Sequence, residues 1–325
     1  MTGITGDPLP VRSPLDDLQL ECPNYRVSML TIGDKLFYIA EANEPGVQPR
    51  FVQAETADRL RAKLQAPVKP FSSSEPSIAR VWDVLLGGKD NFAVDREQAS
   101  SLLGIFPRAA ELARESREFQ ARAVAYVADC AVRQFLDLGC GLPTAPNTHE
   151  TAKGVRPDAV VVYVDNDEQV MTHAHGLLAK AEGVHTVAGD LSYPNEILYD
   201  WRLRQALDFC QPVCLVLAMT LHFYDREAAR KITRRFINAL PCGSFLILSV
   251  GQLEGGMGTQ FSKQYRAGAI HHHNRETVSS FMDGLELVDP GVTEARTWRA
   301  PAFIPSHGRR GHIWAAVGRK TGGTA

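Results

Sequence analysis

The chain has 325 residues, 44% of them hydrophobic, and a net charge of −2. It is long enough to bury one large core and to carry a smaller additional unit. The nearly balanced charge favours neither a nucleic acid nor a membrane surface, and the sequence shows no apolar stretch of membrane-spanning length and no signal peptide. The six cysteines form no Cys-x-x-Cys pair and several lie in apolar runs, so we expect a reduced, cytoplasmic protein.

The N-terminal part of the chain predicts a small unit ahead of the main domain. Several prolines and few large apolar residues indicate a flexible arm over residues 1–24. Two strand-like runs, Tyr25–Ile32 and Lys35–Ala40, flank a Gly-Asp dipeptide, which is typical of a β-hairpin. A short strand and a helix follow, so we expect residues 25–66 to form an α+β appendage and residues 67–75 a linker.

A helical segment is expected before the first strand of the main domain. Ile78–Leu86 has helical character and is ended by the glycines and polar residues of Gly87–Asn91. Residues 95–103 and 107–130 continue with helical apolar spacing, and on the longer of these helices the apolar stripe contains Leu112, Phe119, Tyr126 and Cys130.

Strands and helices alternate after residue 135, which is typical of a doubly wound α/β domain. The predicted strands lie in the apolar runs 132–136, 159–164, 184–188, 213–218, 244–250, 285–288 and 312–318. Only a long loop joins the last two runs, so we expect them to pair antiparallel. This domain would span residues 76–320 and leave a short tail at 321–325.

A glycine-rich loop, Asp137–Gly141, follows the first of these strands. Gly139 and Gly141 remove side chains where a backbone must pass close to a ligand. Asp137 stands directly before the first glycine, where a pyrophosphate-binding turn needs no acid. A carboxylate there suits a ligand that carries an amine or a sulfonium, so the loop favours S-adenosylmethionine over a dinucleotide.

Two further acids follow the next two strands, Asp165 before Asn166 and Asp190 before Leu191. The spacing from Gly141 to Asp165 fits one crossover helix. An acid at the tip of the second strand accepts hydrogen bonds from ribose hydroxyls, and one after the third can accept from the adenine amine. The predicted cofactor-binding residues are therefore Asp137, Gly139, Gly141, Asp165, Asn166, Asp190 and Leu191.

Longer strings resemble one bacterial family of class I S-adenosylmethionine-dependent methyltransferases that was formerly a domain of unknown function. They are Ala79–Phe92, Phe135–Thr144, Asn147–Glu150, Tyr163–Asp167 and Leu221–Phe223. The resemblance covers about residues 75 to 320. It implies a seven-stranded Rossmann-like methyltransferase sheet with an antiparallel last strand, and S-adenosyl-L-methionine as the cofactor. It does not define the acceptor.

The resemblance also implies that the segment before the sheet folds over the cofactor. We therefore add Arg80, Lys89 and Asn91 to the cofactor-binding set, with a solvated turn between two helices as the alternative. Thr144 either donates its hydroxyl to the cofactor or caps the next helix.

Acceptor chemistry is expected near His222, which follows the fourth strand and would face the reacting centre in this fold. A neutral imidazole there could take a proton from a hydroxyl or acid acceptor, or it could only bond the loop backbone. The Asn/Asp-Pro-Pro-aromatic motif of amino-group methyltransferases is missing, which argues against amine targets. We expect no metal, and an acceptor side lined by Arg266, His271, His272, His273 and Arg275 with Trp298 and Phe303 as an apolar wall.

The function predicted from these features is methyl transfer to a small-molecule acceptor, at oxygen or another non-amine atom, without nucleic-acid or membrane partners. One alternative is a catalytically weak S-adenosylmethionine-binding protein with a regulatory or interaction role. Another is a nicotinamide-dependent oxidoreductase, but Thr144 occupies the place of the third glycine and Asp137 would have no function there.

Overall fold

A computed structural model describes residues 13–44, 47, 51–65, 72–177, 181–301 and 311–322. The chain separates into two compact units, residues 1–70 and 71–325. All six cysteines are free thiols. Within the described ranges, no helix combines the length and the apolar character needed to cross a membrane.

The first unit contains α1 (Pro14–Glu21), β1 (Tyr25–Ile32), β2 (Lys35–Ala42), β3 (Phe51–Ala54) and α2 (Ala57–Gln65). Its strands form an antiparallel sheet in the order β1-β2-β3. Ile32 pairs with Lys35, so the turn consists of Gly33 and Asp34, and Gly33 adopts a φ of +62° that favours glycine.

The flexible arm expected over residues 1–24 is wrong for the part that the structure describes. Ser13 and Asp16 form a capping box at the start of α1, and Pro14 lies in its first turn. Leu18 is fully buried against Leu60 and other apolar residues of this unit. The proline at this position therefore starts a helix. Residues 1–12 and most of the expected linker at 67–75 lie outside the described residues.

The second unit begins with three helices and continues as an alternating α/β domain. The helices before the sheet are α3 (Ile78–Leu86), α4 (Ala93–Ile105) and α5 (Ala109–Asp129). The alternating part contains β4 (Gln134–Leu138), α6 (Thr148–Val155), β5 (Val160–Asp165), α7 (Glu168–Leu177), β6 (Val184–Ala188), α8 (Pro194–Leu198), α9 (Trp201–Ala206), β7 (Val213–Ala218), a 3₁₀ turn (Leu221–Phe223), α10 (Arg226–Ala239) and β8 (Phe245–Leu253). The last elements are α11 (Gly255–Gln264), α12 (Arg275–Phe281), β9 (Glu286–Leu287), β10 (Thr293–Glu294) and β11 (Gly311–Arg319).

The large sheet has the strand order β10-β11-β8-β7-β4-β5-β6. The strands from β4 to β8 are parallel, and β11 runs antiparallel to β8 over nine residue pairs. The order reverses at β4, since β5 and β6 lie on one side and β7 and β8 on the other. Ligands of such doubly wound sheets bind at the carboxyl ends of the strands beside this point.

The edge of the sheet differs from the expected seven strands, because the described residues form eight strands in this sheet. β9 pairs with Gly318 and Arg319, whereas β10 pairs with Trp314 and Ala315 on the same edge of β11. The strand predicted at 285–288 therefore pairs with only one end of β11, and β10 pairs with another part of the same strand. β10 went unpredicted because a strand of two residues is too short to show an alternating pattern.

Two hydrophobic layers enclose the sheet, and they determine where the site residues point. Residues of α3 to α6 pack on one face, which includes Phe135, and residues of α8 to α10 and α12 pack on the other, which includes Leu136 and Leu138. Successive residues of a strand face opposite sides. Asp137 therefore lies on the α5 side of the sheet, inside an apolar layer.

Candidate functional site

The glycine loop brings the ends of three strands together. Gly139 and Gly141 have φ values of +70° and +64°, which favour glycine. A Cβ at Gly139 would lie 2.2 Å from Thr220 Cγ2 and 3.9 Å from Leu191 Cδ1, so the loop after β4 contacts the segments after β7 and β6. A Cβ at Gly141 would meet nothing within 4 Å, so the loop faces open space there.

Asp165 at the end of β5 contacts the glycine loop directly. Its Oδ2 accepts a hydrogen bond from the Gly141 amide at 2.9 Å, and its Oδ1 accepts one from the Asp167 amide at 3.0 Å. Burial raises the pKa of Asp165, although these amide donors oppose the rise. The neighbouring Asn166 is exposed. The structure therefore brings Asp165 and Gly141 together and leaves Asn166 at the rim.

The segment after β6 completes this row of acids. Asp190 is half-buried and accepts a hydrogen bond from the Ser192 amide at 2.9 Å, while Leu191 is buried near Gly139. Burial raises the pKa of Tyr224, a bond with Ser192 opposes the rise, and the nearby carboxylates of Asp190 and Asp165 add to it. Tyr224 is therefore a residue of this edge that the sequence did not reveal.

Asp137 is the most enclosed acid of the site, with 4% of its surface exposed. Its Oδ2 accepts a hydrogen bond from Thr148 Oγ1 at 2.5 Å and one from Gln120 Nε2 at 3.4 Å. Burial raises the pKa of Asp137 to about 6, while the Thr148 bond and the Arg117 charge lower it and the Asp165 charge raises it. This carboxyl group therefore titrates close to neutral pH.

A small recess opens beneath the glycine loop and contains Asp137 in its wall. Several other wall residues went unpredicted. The sequence offered one indication of this recess. Ser116 and Gln120 are polar residues on the buried stripe of α5, and buried polar residues need polar partners in the elements packed against them. Of the expected stripe, Tyr126 is half-buried and Cys130 is exposed at the C-cap. The recess is lined by Arg117, Asp137, Cys140, Gly141, Leu142, Pro143, Asn147, Thr148 and Tyr163.

The helix α3 lies over the glycine loop and the start of α7. Ser77 Oγ donates to Asp167 Oδ2 at 2.8 Å, and Ala79 packs with Leu142 and Val170. Arg80 Nη1 donates to Gln169 Oε1 at 2.8 Å. The segment before the sheet is therefore bound to the loops that follow β4 and β5.

Arg80 and Asn91, which were both expected to contact the cofactor, form bonds within the protein. Arg80 forms a buried salt bridge with Asp95 at 2.7 Å and donates to the carbonyls of Ser72 and Glu75. Asn91 Nδ2 donates to Asp83 Oδ2 at 2.8 Å. These bonds fix the two side chains within the segment that precedes the sheet.

Two more predicted cofactor-binding residues are Lys89, in the turn after α3, and Thr144, in the loop after Gly141. Lys89 is exposed in the turn after α3, and its proposed contact with the cofactor stays a prediction. The Thr144 hydroxyl donates to the Leu142 carbonyl at 3.2 Å, and the N-cap of α6 is Asn147. The Thr144 side chain therefore braces the loop and does not cap the helix.

The segment after β7 contains two buried polar atoms without a partner. Met219 has a φ of +57°, an uncommon conformation outside glycine that is typical of functional sites. Thr220 Oγ1 and His222 Nδ1 are buried and have no hydrogen-bond partner among the described residues. Burial, together with nearby His272, His273 and His271, lowers the pKa of His222 to about 3. His222 is therefore neutral at physiological pH, and its imidazole is a weak base.

Several residues expected to line the acceptor side bond or pack within the protein. His272 Nε2 donates to the Gly258 carbonyl at 3.1 Å, and His273 Nε2 donates to the Tyr224 carbonyl at 3.0 Å. Trp298 is fully buried against Phe119 and Tyr126, and Phe303 lies outside the described residues. The side chains of Arg266 and Arg275 donate to Gln98 Oε1 and to the Val292 carbonyl, and the backbone amide of His271 donates to the His222 carbonyl.

A row of half-buried aromatic rings stands beside His222 instead. The ring centroids of His222 and Phe223 are 4.2 Å apart, those of Phe223 and Tyr265 are 6.3 Å apart, and those of Tyr265 and Phe261 are 6.2 Å apart. These rings connect the 3₁₀ turn to α11 and offer an apolar surface next to the unpartnered imidazole nitrogen.

The donor set fits S-adenosylmethionine. Carboxylates stand at three neighbouring strand ends, open space adjoins Gly141, and the Thr220 hydroxyl lacks a partner beside the loop. Carboxylates suit an ammonium group, ribose hydroxyls and an adenine amine, whereas pyrophosphate would be repelled. Fold and site together define a Rossmann-like, S-adenosylmethionine-dependent methyltransferase.

Comparison with known proteins gives the family. Residues 65–321 match the model of the S-adenosyl methyltransferase family. A DUF574 family protein from Streptomyces avermitilis MA-4680 is 35% identical over 76% of this chain and 98% of that chain, with a TM-score of 0.72. A candidate methyltransferase from Thermobifida fusca YX is 34% identical over 79% of this chain and 100% of that chain, also with a TM-score of 0.72. No curated protein matches significantly. The chain belongs to the S-adenosyl methyltransferase family, and its cofactor is S-adenosylmethionine.

Proposed function

We propose that this enzyme methylates a small-molecule acceptor at an oxygen or another non-amine atom. The observation that carries the proposal is the segment after β7. There Thr220 Oγ1 and His222 Nδ1 are buried beside half-buried aromatic rings and find no hydrogen-bond partner in the part of the chain that the structure describes. A buried polar atom without a partner costs about 1–3 kcal/mol, so a ligand that meets these atoms would recover that cost.

The cofactor would occupy the row of strand ends. Asp137, Gly139 and Gly141 would hold its methionine part, Asp165 and Asn166 its ribose, and Asp190 and Leu191 its adenine; when bound, S-adenosylmethionine supplies an electrophilic methyl group on a sulfonium. The protein then has to hold the acceptor close and collinear and to exclude water.

The state of His222 narrows the class of acceptor. An imidazole with a pKa of about 3 is too weak a base to take a proton from an ordinary alcohol at neutral pH. It can still form a hydrogen bond with a ligand. The segment therefore suits an acceptor that arrives ionised or needs no deprotonation, such as a carboxylate or an acidic phenol, with a planar part against Phe223 and Tyr265.

A screen for methyl transfer tests the proposal. The purified chain is incubated with isotope-labelled S-adenosylmethionine and panels of aromatic carboxylates, phenols, amines, proteins and nucleic acids. Labelled product from carboxylates or phenols is expected, and Asp165→Ala should form less of it when the cofactor concentration is close to the wild-type Kd. Transfer only to amines, to protein or to nucleic acid would contradict the proposed acceptor class and leave the cofactor assignment intact.

A further inference from the structure

One guanidinium group on α5 braces the glycine loop from below. Arg117 Nη2 donates to the Thr144 carbonyl at 2.5 Å and to the Pro146 carbonyl at 3.1 Å. Its Nη1 donates to Gln120 Oε1 at 3.0 Å, within the same helix. Arg117 thus links the far end of the loop to the amide of Gln120.

The amide of Gln120 continues this chain of hydrogen bonds to Asp137. Gln120 Nε2 donates to Thr148 Oγ1 at 3.1 Å and to Asp137 Oδ2 at 3.4 Å. Thr148 Oγ1, from the first turn of α6, donates to the same Oδ2 at 2.5 Å. The other oxygen, Oδ1, accepts no hydrogen bond from the described residues, and Asp137 lines the recess.

We propose that Arg117, Gln120 and Thr148 form a positioning relay that fixes Asp137 Oδ2 and turns Oδ1 toward the ammonium group of the cofactor. The inference rests on the proposed assignment of Asp137 to the methionine part. Two helices and the loop contribute to the relay, and its bonds end on a single carboxylate oxygen. Groups that only fill space in the core would not need this convergence.

Electrostatics gives the relay a second effect. Burial is the largest cause of the raised pKa of Asp137, while the Thr148 bond and the Arg117 charge lower this pKa and the Asp165 charge raises it. The titratable side chains of Tyr163, Cys140 and Cys214 also interact electrostatically with Asp137. Without the Thr148 hydroxyl the carboxyl group would hold its proton to higher pH. A protonated Asp137 cannot pair with an ammonium group, so the relay also maintains the binding form.

Two ligands separate positioning from general support of the fold. S-Adenosylhomocysteine carries the amino-acid group, and 5′-methylthioadenosine shares its adenosine and thioether but lacks that group. In calorimetry with the full chain, Gln120→Leu and Thr148→Val should each weaken S-adenosylhomocysteine about tenfold. The affinity for 5′-methylthioadenosine should stay within about twofold. Thr148→Ser keeps the hydroxyl and should retain the wild-type ratio.

Ser116→Ala is the matched control, because it removes a buried hydrogen bond from the same helix, to Ser249 Oγ at 3.1 Å, without touching Asp137. It should leave the ratio of the two affinities unchanged. For Thr148→Val, the pH midpoint of S-adenosylhomocysteine binding should also move upward.

The outcomes distinguish the relay from the site on which it rests. Equal weakening of both ligands by Gln120→Leu and Thr148→Val would overturn the relay, because the two residues would then only support the fold. If Asp137→Asn weakens S-adenosylhomocysteine but the relay variants do not, the relay alone fails. An unchanged affinity in Asp137→Asn would overturn both the relay and the assignment of Asp137.

Discussion

At the scale of single residues, the site places charge where the fold would otherwise place apolar side chains. Asp137 stands between Leu136 and Leu138, both fully buried, and its side chain shares a layer with Phe135. Burial opposes its ionisation, so the charged form costs stability in the free protein. An ammonium group at Oδ1 would offset that cost, which couples cofactor binding to the stability of the fold.

Replacement of Asp137 by asparagine should therefore stabilise the free protein at alkaline pH. The pKa of about 6 lies above the ordinary 3.8, so the folded chain holds this proton more tightly than the unfolded chain. The protonated Asp137 therefore contributes stability that is fully present below about pH 4 and is lost as the pH rises through about 6. Relative to wild type, Asp137→Asn should gain up to about 3 kcal/mol in urea unfolding at about pH 8, and almost nothing near pH 4. A loss of stability that is equal at both pH values would contradict this account.

The role of His222 has a different pH signature. Because its pKa is about 3, this residue should contribute no change in rate between about pH 5 and 8. His222→Ala should raise KM for the acceptor, leave the Kd of S-adenosylhomocysteine unchanged and lower kcat only about tenfold. Steady-state kinetics over this pH range provides the check. A wild-type rate that rises through about pH 6.5, with the rise absent in His222→Ala, would instead identify a general base.

At the scale of elements, α3 is a cover held by polar bonds to the strand ends. Its buried Arg80–Asp95 pair fixes the helix, Ser77 binds the loop after β5, and Asp83 accepts hydrogen bonds from the Asp90 amide and the Asn91 side chain. A Cβ at Gly88 would lie 1.9 Å from Asp83 Oδ1, so a larger residue at this turn would displace the Asp83 carboxylate. These bonds hold α3 and the turn after it in place next to the glycine loop.

Ser77→Ala should open this cover without disturbing the buried ion pair. The lost bond to Asp167 is worth about 1 kcal/mol, so the dissociation rate of S-adenosylhomocysteine should rise about fivefold. Stopped-flow displacement measures this rate. Ser101→Ala is the control, since Ser101 bonds Gln264 on another side of the unit. Equal dissociation rates in the two variants would show that the bond to Asp167 does not hold the ligand.

Prediction from sequence succeeded for elements with a strong local pattern. Short apolar runs rich in β-branched residues predict the buried parallel strands β5 and β7. The glycines after β4 predict the edge of the sheet at which the ligand binds. Arg80 shows where such reasoning ends, because its partners Asp95 and Gln169 lie outside its own helix and cannot be identified from the local sequence. The relay could not be predicted for the same reason, since the bonds from Gln120 to Thr148 and Asp137 form only in the folded chain.

At the scale of the whole molecule, the proposed site belongs entirely to the second unit. The first unit has its own core around Leu18 and Leu60, and the family match begins at residue 65. We propose that the first unit is an accessory module that the cofactor site does not need.

Two truncated chains test this proposal. A chain of residues 71–325 keeps Ser72 and Glu75, whose carbonyls accept from Arg80, and should fold and bind S-adenosylhomocysteine as the full chain does. A chain that begins at Pro76 loses both acceptors, and thermal unfolding should show it destabilised by about 1–3 kcal/mol. Lost affinity in the 71–325 chain would mean that the first unit contributes to the site.

The central claim is that carboxylates at the strand ends hold S-adenosylmethionine, and calorimetry of wild type and Asp165→Ala tests it most directly. Wild type should bind S-adenosylmethionine and S-adenosylhomocysteine but not NAD. Asp165→Ala should bind both sulfur ligands about tenfold to hundredfold more weakly, because it loses charge-assisted bonds to the ribose, and should keep its fold. Binding of NAD with no response to either sulfur ligand, or an unchanged dissociation constant in Asp165→Ala, would contradict the account.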